Sequence, residues 1–280
     1  MLSSGSSGPT PLSMDLGAML SAGDRAASAT PLAELFGAGA PGARAPGVTD
    51  GPSAPADVGV VPGTRSEAIS RALNVAIAAC ALLLLAPVCV LVAIAIKLTS
   101  PGPVFYTQTR VGLDRRWRRD DGGASDDERR LEDLCGQPFT ILKFRSMRTD
   151  AEANGQAVWA TKHDSRITPI GHVLRKSRLD EIPQLINVLR GEMNIVGPRP
   201  ERPSIVVRLR EHVPEYPMRH RVKPGITGWA QINHSYDVSV EDVRTKVRYD
   251  LEYIRAQSLW FDLRVMVMTI PVMVFKRGAH

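Results

Sequence analysis

Between Val75 and Ile96 the chain is built from Ala, Val, Ile, Leu, Asn-free and charge-free, with Cys80 and Cys89 among them and a single proline, Pro87. At about 1.5 Å per residue, a straight helix over this run spans roughly 33 Å, the thickness of the hydrocarbon core of a bilayer. The run predicts a membrane segment, and the rest of the chain has to be arranged around it. Two features bear on how it enters. Pro87 removes an amide donor and leaves the Leu83 carbonyl without its helical partner. Arg65, Arg71, Lys97 and Arg110 put positive charge on both flanks, which draws both ends to the cytosolic face. A helix broken at Ala86-Pro87 that enters one leaflet and turns back satisfies both features. A plain span with a proline kink satisfies the length alone, and these residues leave the two open.

Residues 1–64 are rich in Gly, Ala, Ser and Pro, with few aromatics and no sustained apolar period. Such a segment buries too little surface to offset its ordering entropy, and it reads as a disordered tail. It does not begin like a secretory signal. With 44% hydrophobic residues, the 280-residue chain retains ample material for one compact domain over residues 100–280.

The excess of 35 Lys and Arg over 29 Asp and Glu favours anionic partners: nucleic acid, phosphorylated metabolites or an anionic lipid surface. No nucleic-acid partner is expected, since there is no zinc-finger spacing, RNP-like aromatic strand or basic heptad region. Cys80, Cys89 and Cys135 form neither a disulfide framework nor a CxxC pair, which fits a reducing setting. His163, His172, His212, His220 and His234 show no metal-ligand spacing.

After the turn-rich exit Ser100-Pro101-Gly102-Pro103, a short extended segment is expected over Val104–Gln108. Residues 114–134 carry dense charge of both signs and read as a solvated insertion, with a lipid-contacting basic patch as the alternative. Phe139–Met147 suits a strand with Lys143 and Arg145 on one face. A basic amphipathic helix is expected over Ile170–Arg178. A second is expected from Asp180, which would cap it, with Pro183 in its first turn and Gly191 at its end. Lys223–Gln231 is a glycine-punctuated loop, Val240–Ala256 a helix, and Ser258–Phe275 an interfacial helix interrupted by Asp262, Arg264 and Pro271. The fold class is α+β and mostly helical, with amphipathic interfacial helices and a small β element around Phe105 and Phe139.

The chemistry concentrates in Arg178-Leu179-Asp180-Glu181-Ile182-Pro183-Gln184, followed by Gly197-Pro198-Arg199-Pro200-Glu201. Two adjacent carboxylates lie between basic residues. Arginines supply planar donors for phosphate oxygens, one carboxylate can attack phosphorus, and the other can hold a divalent cation. Lys143, Arg145, Arg175 and Arg178 are the reservoir of further cations.

These residues resemble a known family. Lys97–Phe105, Lys143–Met147, Arg175–Gln184, Asn194–Pro200, Lys223–Trp229 and Trp260–Leu263 follow, in order, the pattern of bacterial sugar transferases that are monotopic polyprenyl-phosphate phosphoglycosyl transferases. The resemblance implies a re-entrant membrane helix over residues 65–99, broken at Pro87, and a cytosolic, membrane-associated catalytic domain over residues 100–280. It implies Asp180 and Glu181 as the catalytic dyad, Glu181 as the Mg²⁺ ligand, and Arg199 with Pro198 and Pro200 as the phosphate-contacting element. The implied reaction moves a phosphosugar from a UDP-sugar, with a UDP-hexose as the expected donor, to undecaprenyl phosphate. It passes through an aspartyl phosphosugar and releases UMP, which initiates exopolysaccharide or glycoconjugate synthesis. The implied location is the cytosolic face of the bacterial inner membrane, in contact with membrane lipid and upstream of further glycosyltransferases. The chain departs from the family in its insertion at residues 114–134, and it resembles the small, catalytic-core form.

Two other readings stay open. A conventional glycosyltransferase with a metal-binding carboxylate pair would release a nucleoside diphosphate. A membrane-anchored scaffold would have no physical use for a carboxylate pair among arginines.

Overall fold

The computed structural model describes residues 60–115, 134–151, 164–234 and 239–274. The expected tail up to residue 59, His163 and nearly all of the charged insertion lie outside these residues.

Helix α1 runs from Glu67 to Thr99 with Pro87 inside it, and the Ser66 hydroxyl caps it by accepting from the Ile69 amide. Its burial is confined to its ends. Ser70, Asn74 and Ala78 form a stripe at four-residue spacing in the first half, Val92 and Ile96 another in the second, and no position from 79 to 91 is buried. Leu83 and Leu84 are 81% and 78% exposed, which identifies the middle of α1 as a surface made for hydrocarbon rather than water.

Strands β1, Phe105–Val111, and β2, Pro138–Phe144, pair antiparallel from Phe105 opposite Phe144 to Val111 opposite Pro138. Helix α2, Pro169–Ser177, is opened by Thr168, whose hydroxyl accepts from Gly171, and by Pro169 at its first position. A short 3-10 helix, Leu179–Glu181, leads into α3, Gln184–Arg190, which ends on Gly191 in the left-handed conformation. Strand β3, Asn194–Val196, pairs in parallel with β4, Gly225–Thr227. Between these strands lie α4, Pro203–His212, and a second 3-10 helix, Tyr216–Arg221. Then follow α5, Trp229–Asn233, α6, Val240–Ala256, and α7, Leu259–Val274. A Ser239–Asp242 capping box opens α6 at the expected boundary.

Two apolar cores result. One joins α1, β2, α2 and α3 through Ile96, Phe144, Leu174, Leu185 and Val188. The other joins α4, α6 and α7 through Val206, Val247, Ile254 and Val265. Ile195 of β3 packs against both, so β3 is the seam between them. The fold is α+β and mostly helical, as the sequence predicts.

Two local expectations need correction. Asp180 does not cap a helix: it lies inside the 3-10 helix, and α3 begins after Pro183, which holds the cap position without a side-chain bond. Strand β2 stops at Phe144, so Arg145 is past its end and does not share a strand face with Lys143. The tight turn after Arg178 and the pull of Arg145 toward α1 override the sequence periodicities there.

Candidate active site

Helix α2 ends because Arg178 takes φ +59, a left-handed conformation that non-glycine residues seldom adopt. The chain then turns through Leu179–Glu181, which brings both carboxylates into the field of Lys143, near the end of β2, and of Arg199. Asp180 and Glu181 are each 8% exposed. The Glu181 Oε1 accepts from Lys143 Nζ at 3.1 Å and from Arg199 Nη2 at 3.0 Å. Its Oε2 faces Arg178 Nη1 at 3.9 Å, beyond hydrogen-bond reach. The Asp180 Oδ1 is buried with no hydrogen-bond partner.

These surroundings drive the two carboxyls apart. Burial raises Asp180, and the neighbouring Glu181 raises it further, against the lowering charges of Lys143, Arg199 and Arg175. Burial alone would raise Glu181 as well, but the charges of Lys143, Arg199 and Arg178 hold it far below the usual carboxylate range. Lys143 is lowered by burial despite Glu181, and Arg199 is raised by Glu181. Glu181 is thus a permanent anion already neutralised by cations, while Asp180 is an under-solvated carboxyl with an unused oxygen. Paired groups separated in this way take different roles.

Asn187 docks the dyad against β2. Its amide donates to Thr140 O and Glu192 Oε2, each at 2.7 Å, and its Oδ1 accepts from the Leu142 amide at 3.0 Å. The start of α3 and Lys143 are therefore fixed to one another. Arg199 is held by its backbone. Gly197 N donates to Thr227 O, Pro198 O accepts from Gly225 N, and Glu201 O accepts from Val111 N, each at 2.9 Å. Arg199 O accepts from Arg219 at 3.1 Å and Pro200 O from Arg110 at 3.2 Å. Every residue from Gly197 to Glu201 is bonded through its main chain. Glycine is required where this segment meets β4: a Cβ on Gly225 would come within 2.1 Å of Gly197 N.

The structure brings together Asp180, Glu181, Lys143, Arg178 and Arg199, with Pro198 and Pro200 rigidifying the last. Arg145 goes elsewhere. Its guanidinium donates to Ser100 O, Ser100 Oγ and Pro101 O at 2.8, 2.7 and 2.5 Å, tying the end of α1 to the end of β2. Pro87 lies in the exposed middle of α1, away from the dyad.

Several supporting residues escape the sequence reading. Arg219 is 1% exposed and pairs with Asp250 at 2.8 Å, and Glu201 is pinned by Arg110 at 3.3 Å and Lys246 at 3.6 Å. Lys246 and Asp250 lie on the face of α6 that buries Val243, Val247 and Leu251, and charge on an apolar helical face is the signal that marks them. Asp262, read as an interruption of an apolar run, is a buried acceptor for Tyr253 at 2.6 Å and an ion-pair partner of Arg65.

A buried, polarised carboxylate pair among converging cations is a site suited to phosphate groups, and it stands in a chain with one helix long and apolar enough to cross a membrane. Comparison of the chain gives its family. The family model described as "Bacterial sugar transferase" matches residues 65–276, and the chain belongs to this family. It is 41% identical over 204 residues to a UDP-glucose:undecaprenyl-phosphate glucose-1-phosphate transferase of Escherichia coli (strain K12), covering 72% of this chain and 39% of that protein. It is 39% identical over 212 residues to a UDP-N-acetylgalactosamine-undecaprenyl-phosphate N-acetylgalactosaminephosphotransferase of Aeromonas hydrophila, covering 76% of this chain and 45% of that one. The chain thus spans less than half the length of these two relatives. To the exopolysaccharide production protein PSS of Rhizobium leguminosarum bv. phaseoli it is 37% identical over 209 residues, covering 72% of this chain and 93% of the relative.

Proposed function

We propose that this protein transfers a phosphosugar from a UDP-hexose to undecaprenyl phosphate, with Asp180 as the nucleophile. The observation that carries the reading is the contrast within the dyad: the Asp180 Oδ1 is buried and unpartnered, while the Oε1 of Glu181 is engaged by Lys143 and Arg199. The names of the relatives supply the substrate class, a UDP-sugar and undecaprenyl phosphate. The name of the Rhizobium relative favours exopolysaccharide as the product line.

In the first step the Asp180 carboxylate attacks the sugar-bearing phosphorus. An Oδ–P bond forms, the P–O bond to the nucleotide breaks, and UMP leaves with the electron pair. In the second, an oxygen of undecaprenyl phosphate attacks the same phosphorus and Asp180 regains its carboxylate. Lys143 and Arg199, which meet at Glu181 Oε1, would neutralise the charge gathering on the equatorial phosphoryl oxygens, which is most of what such a transfer asks of a protein. One site serves a soluble and a membrane-bound substrate in turn.

Mg²⁺ is compatible with this donor set. No group of three or more His, Cys, Asp or Glu gathers among the described residues, but Mg²⁺ commonly takes one or two carboxylates and completes its shell with phosphate oxygens and water. The Oε2 of Glu181 is not already engaged in a hydrogen bond and would hold it, which leaves the unpartnered Oδ1 of Asp180 for phosphorus. When bound, the ion would neutralise charge developing on the phosphate of the departing UMP.

The reading extends to the membrane. Arg71 donates to the carbonyls of Val188 and Leu189, Asn74 accepts from the Ile195 amide at 2.6 Å, and Arg145 grips Ser100 beyond the other end of α1. Attachment of both ends of α1 to one domain supports a re-entrant helix; α1 is continuous through Pro87, so the proline would bend it rather than interrupt it, and the dyad would then face the cytosolic leaflet. A donor assay tests the whole: detergent-solubilised protein with Mg²⁺, undecaprenyl phosphate and a panel of UDP-sugars, scored for UMP against UDP. UMP release lost in Asp180→Asn is expected; UDP release, or turnover surviving in that variant, overturns the mechanism.

A further inference from the structure

A second cationic cavity, of about 900 Å³, opens beside the start of α1, the residues after β1 and the turn before β4. Arg65, Arg71, Arg115 and Lys223 line it, with Glu67 as the carboxylate on its wall. None of the dyad group lines it. It lies at the far end of α3, where Arg71 meets the Val188 and Leu189 carbonyls.

Its charge is incompletely neutralised from within. Arg65 pairs with Asp262, but Arg71 is held by neutral carbonyls. Lys223 is half-buried and makes no side-chain hydrogen bond or ion pair among the described residues. Burial lowers its proton affinity, and the charges of Arg71, Arg115 and Arg65 lower it further while Glu67 opposes them. An ammonium held against arginines in a roomy cavity is a site prepared for an anion.

The neighbouring cavity is of the opposite character. A cleft of about 300 Å³ between α1 and α7 shares Ser70 with the first, and Leu73, Ile77, Leu263 and Met266 are on its walls. The Arg65–Asp262 ion pair stands at the divide, with Arg65 lining the cationic side and Asp262 the apolar side. Trp260, 76% exposed, marks the mouth of the cleft with an amphipathic ring. A free phosphate would use the first cavity alone. A molecule with a phosphate head and a hydrocarbon chain uses both.

We propose that the two cavities form an accessory lipid site, in which the cationic one takes the phosphate headgroup of an anionic phospholipid and the cleft takes an acyl chain. This rests on the reading of α1 as a membrane segment. The test reconstitutes the full chain in nanodiscs of phosphatidylcholine and phosphatidylglycerol, then measures the lipids retained after detergent extraction. Wild type should enrich phosphatidylglycerol and Lys223→Arg should keep the enrichment. Lys223→Gln should lose about tenfold of it, the scale of one charge-assisted hydrogen bond. Equal enrichment in wild type and Lys223→Gln overturns the site. Protection of Lys223 from an amine-acylating reagent by inorganic phosphate as effectively as by phosphatidylglycerol overturns the lipid as its occupant. Failure to float with plain phosphatidylcholine vesicles overturns the membrane reading and this site with it, whereas flotation without Lys223-dependent enrichment overturns this site alone.

Discussion

Arg219 donates to the carbonyl oxygen of Arg199 from 3.1 Å while its guanidinium pairs with Asp250 at 2.8 Å. A cation that never touches the dyad therefore fixes the main chain of the cation that does. The Tyr216 hydroxyl accepts a further bond from Arg219 at 2.6 Å, so the guanidinium has little freedom to turn. Placement of this kind matters because charge stabilisation at phosphorus falls away when a donor is misplaced by about 1 Å.

Arg219→Met removes the guanidinium paired with the buried Asp250, and it should cost about 3–5 kcal/mol in stability. The double variant Arg219→Met/Asp250→Leu should regain most of that in a urea titration. Turnover should stay depressed, because the Arg199 carbonyl still lacks its donor. A stable double variant with wild-type UMP release would show the bond to be dispensable.

With Asp180 as the proposed nucleophile, turnover would require its ionised form, and its pKa is raised by burial and by Glu181 and lowered by Lys143. The acid limb of kcat/KM should therefore lie above the ordinary carboxylate range, with activity lost as pH falls through it. Lys143→Met removes a lowering charge, so its limb should move to higher pH and its maximal rate should fall about a hundredfold. A pH–rate profile of the two proteins decides this, and an unmoved limb would detach it from Asp180.

His220 is buried beside Arg219, and its pKa is pushed down to about 3 by burial and then by that charge. Its ordinary value is 6.5. Between these values the unfolded chain carries the proton and the folded protein does not, so stability should decline as pH falls from 6.5 toward 3. His220→Phe should flatten that component of the slope in denaturant titrations taken across the window. An unchanged slope would mean that another group sets it.

Gly225→Ala places a Cβ within 2.1 Å of Gly197 N, a backbone atom that cannot rotate away. The strand must shift, at upwards of about 2 kcal/mol, and Arg199 shifts with it. Both the melting temperature and UMP release should fall. Loss of stability with full turnover would separate the β3–β4 contact from the site.

The elements of the fold were largely legible, and the network behind the site was not. Long regular signals survive folding: the apolar run that becomes α1, and the helical pattern over Val240–Ala256 that becomes α6. The dyad and Arg199 announced themselves as carboxylates and an arginine in unusual local company. Arg145 carried the same local signature, yet its guanidinium is taken by Ser100 and Pro101, some 44 residues distant in sequence. Periodicity cannot foresee such a capture. The left-handed turn at Arg178, which displaced the expected cap at Asp180, is likewise invisible because arginine gives no warning of positive φ. Arg219 and Asp250 are separated by 31 residues and meet only through tertiary packing.

The unbroken bonding from Gly197 to Glu201 has a consequence on the clock of the molecule. No local opening can free one peptide of that segment without breaking contacts to β1, β4 or the second 3-10 helix. The amide hydrogens of Gly197, Gly225 and Val111 should accordingly exchange with deuterium only when the domain as a whole unfolds, and be among its slowest. Each catalytic cycle then begins from a loop whose disorder was removed once, during folding.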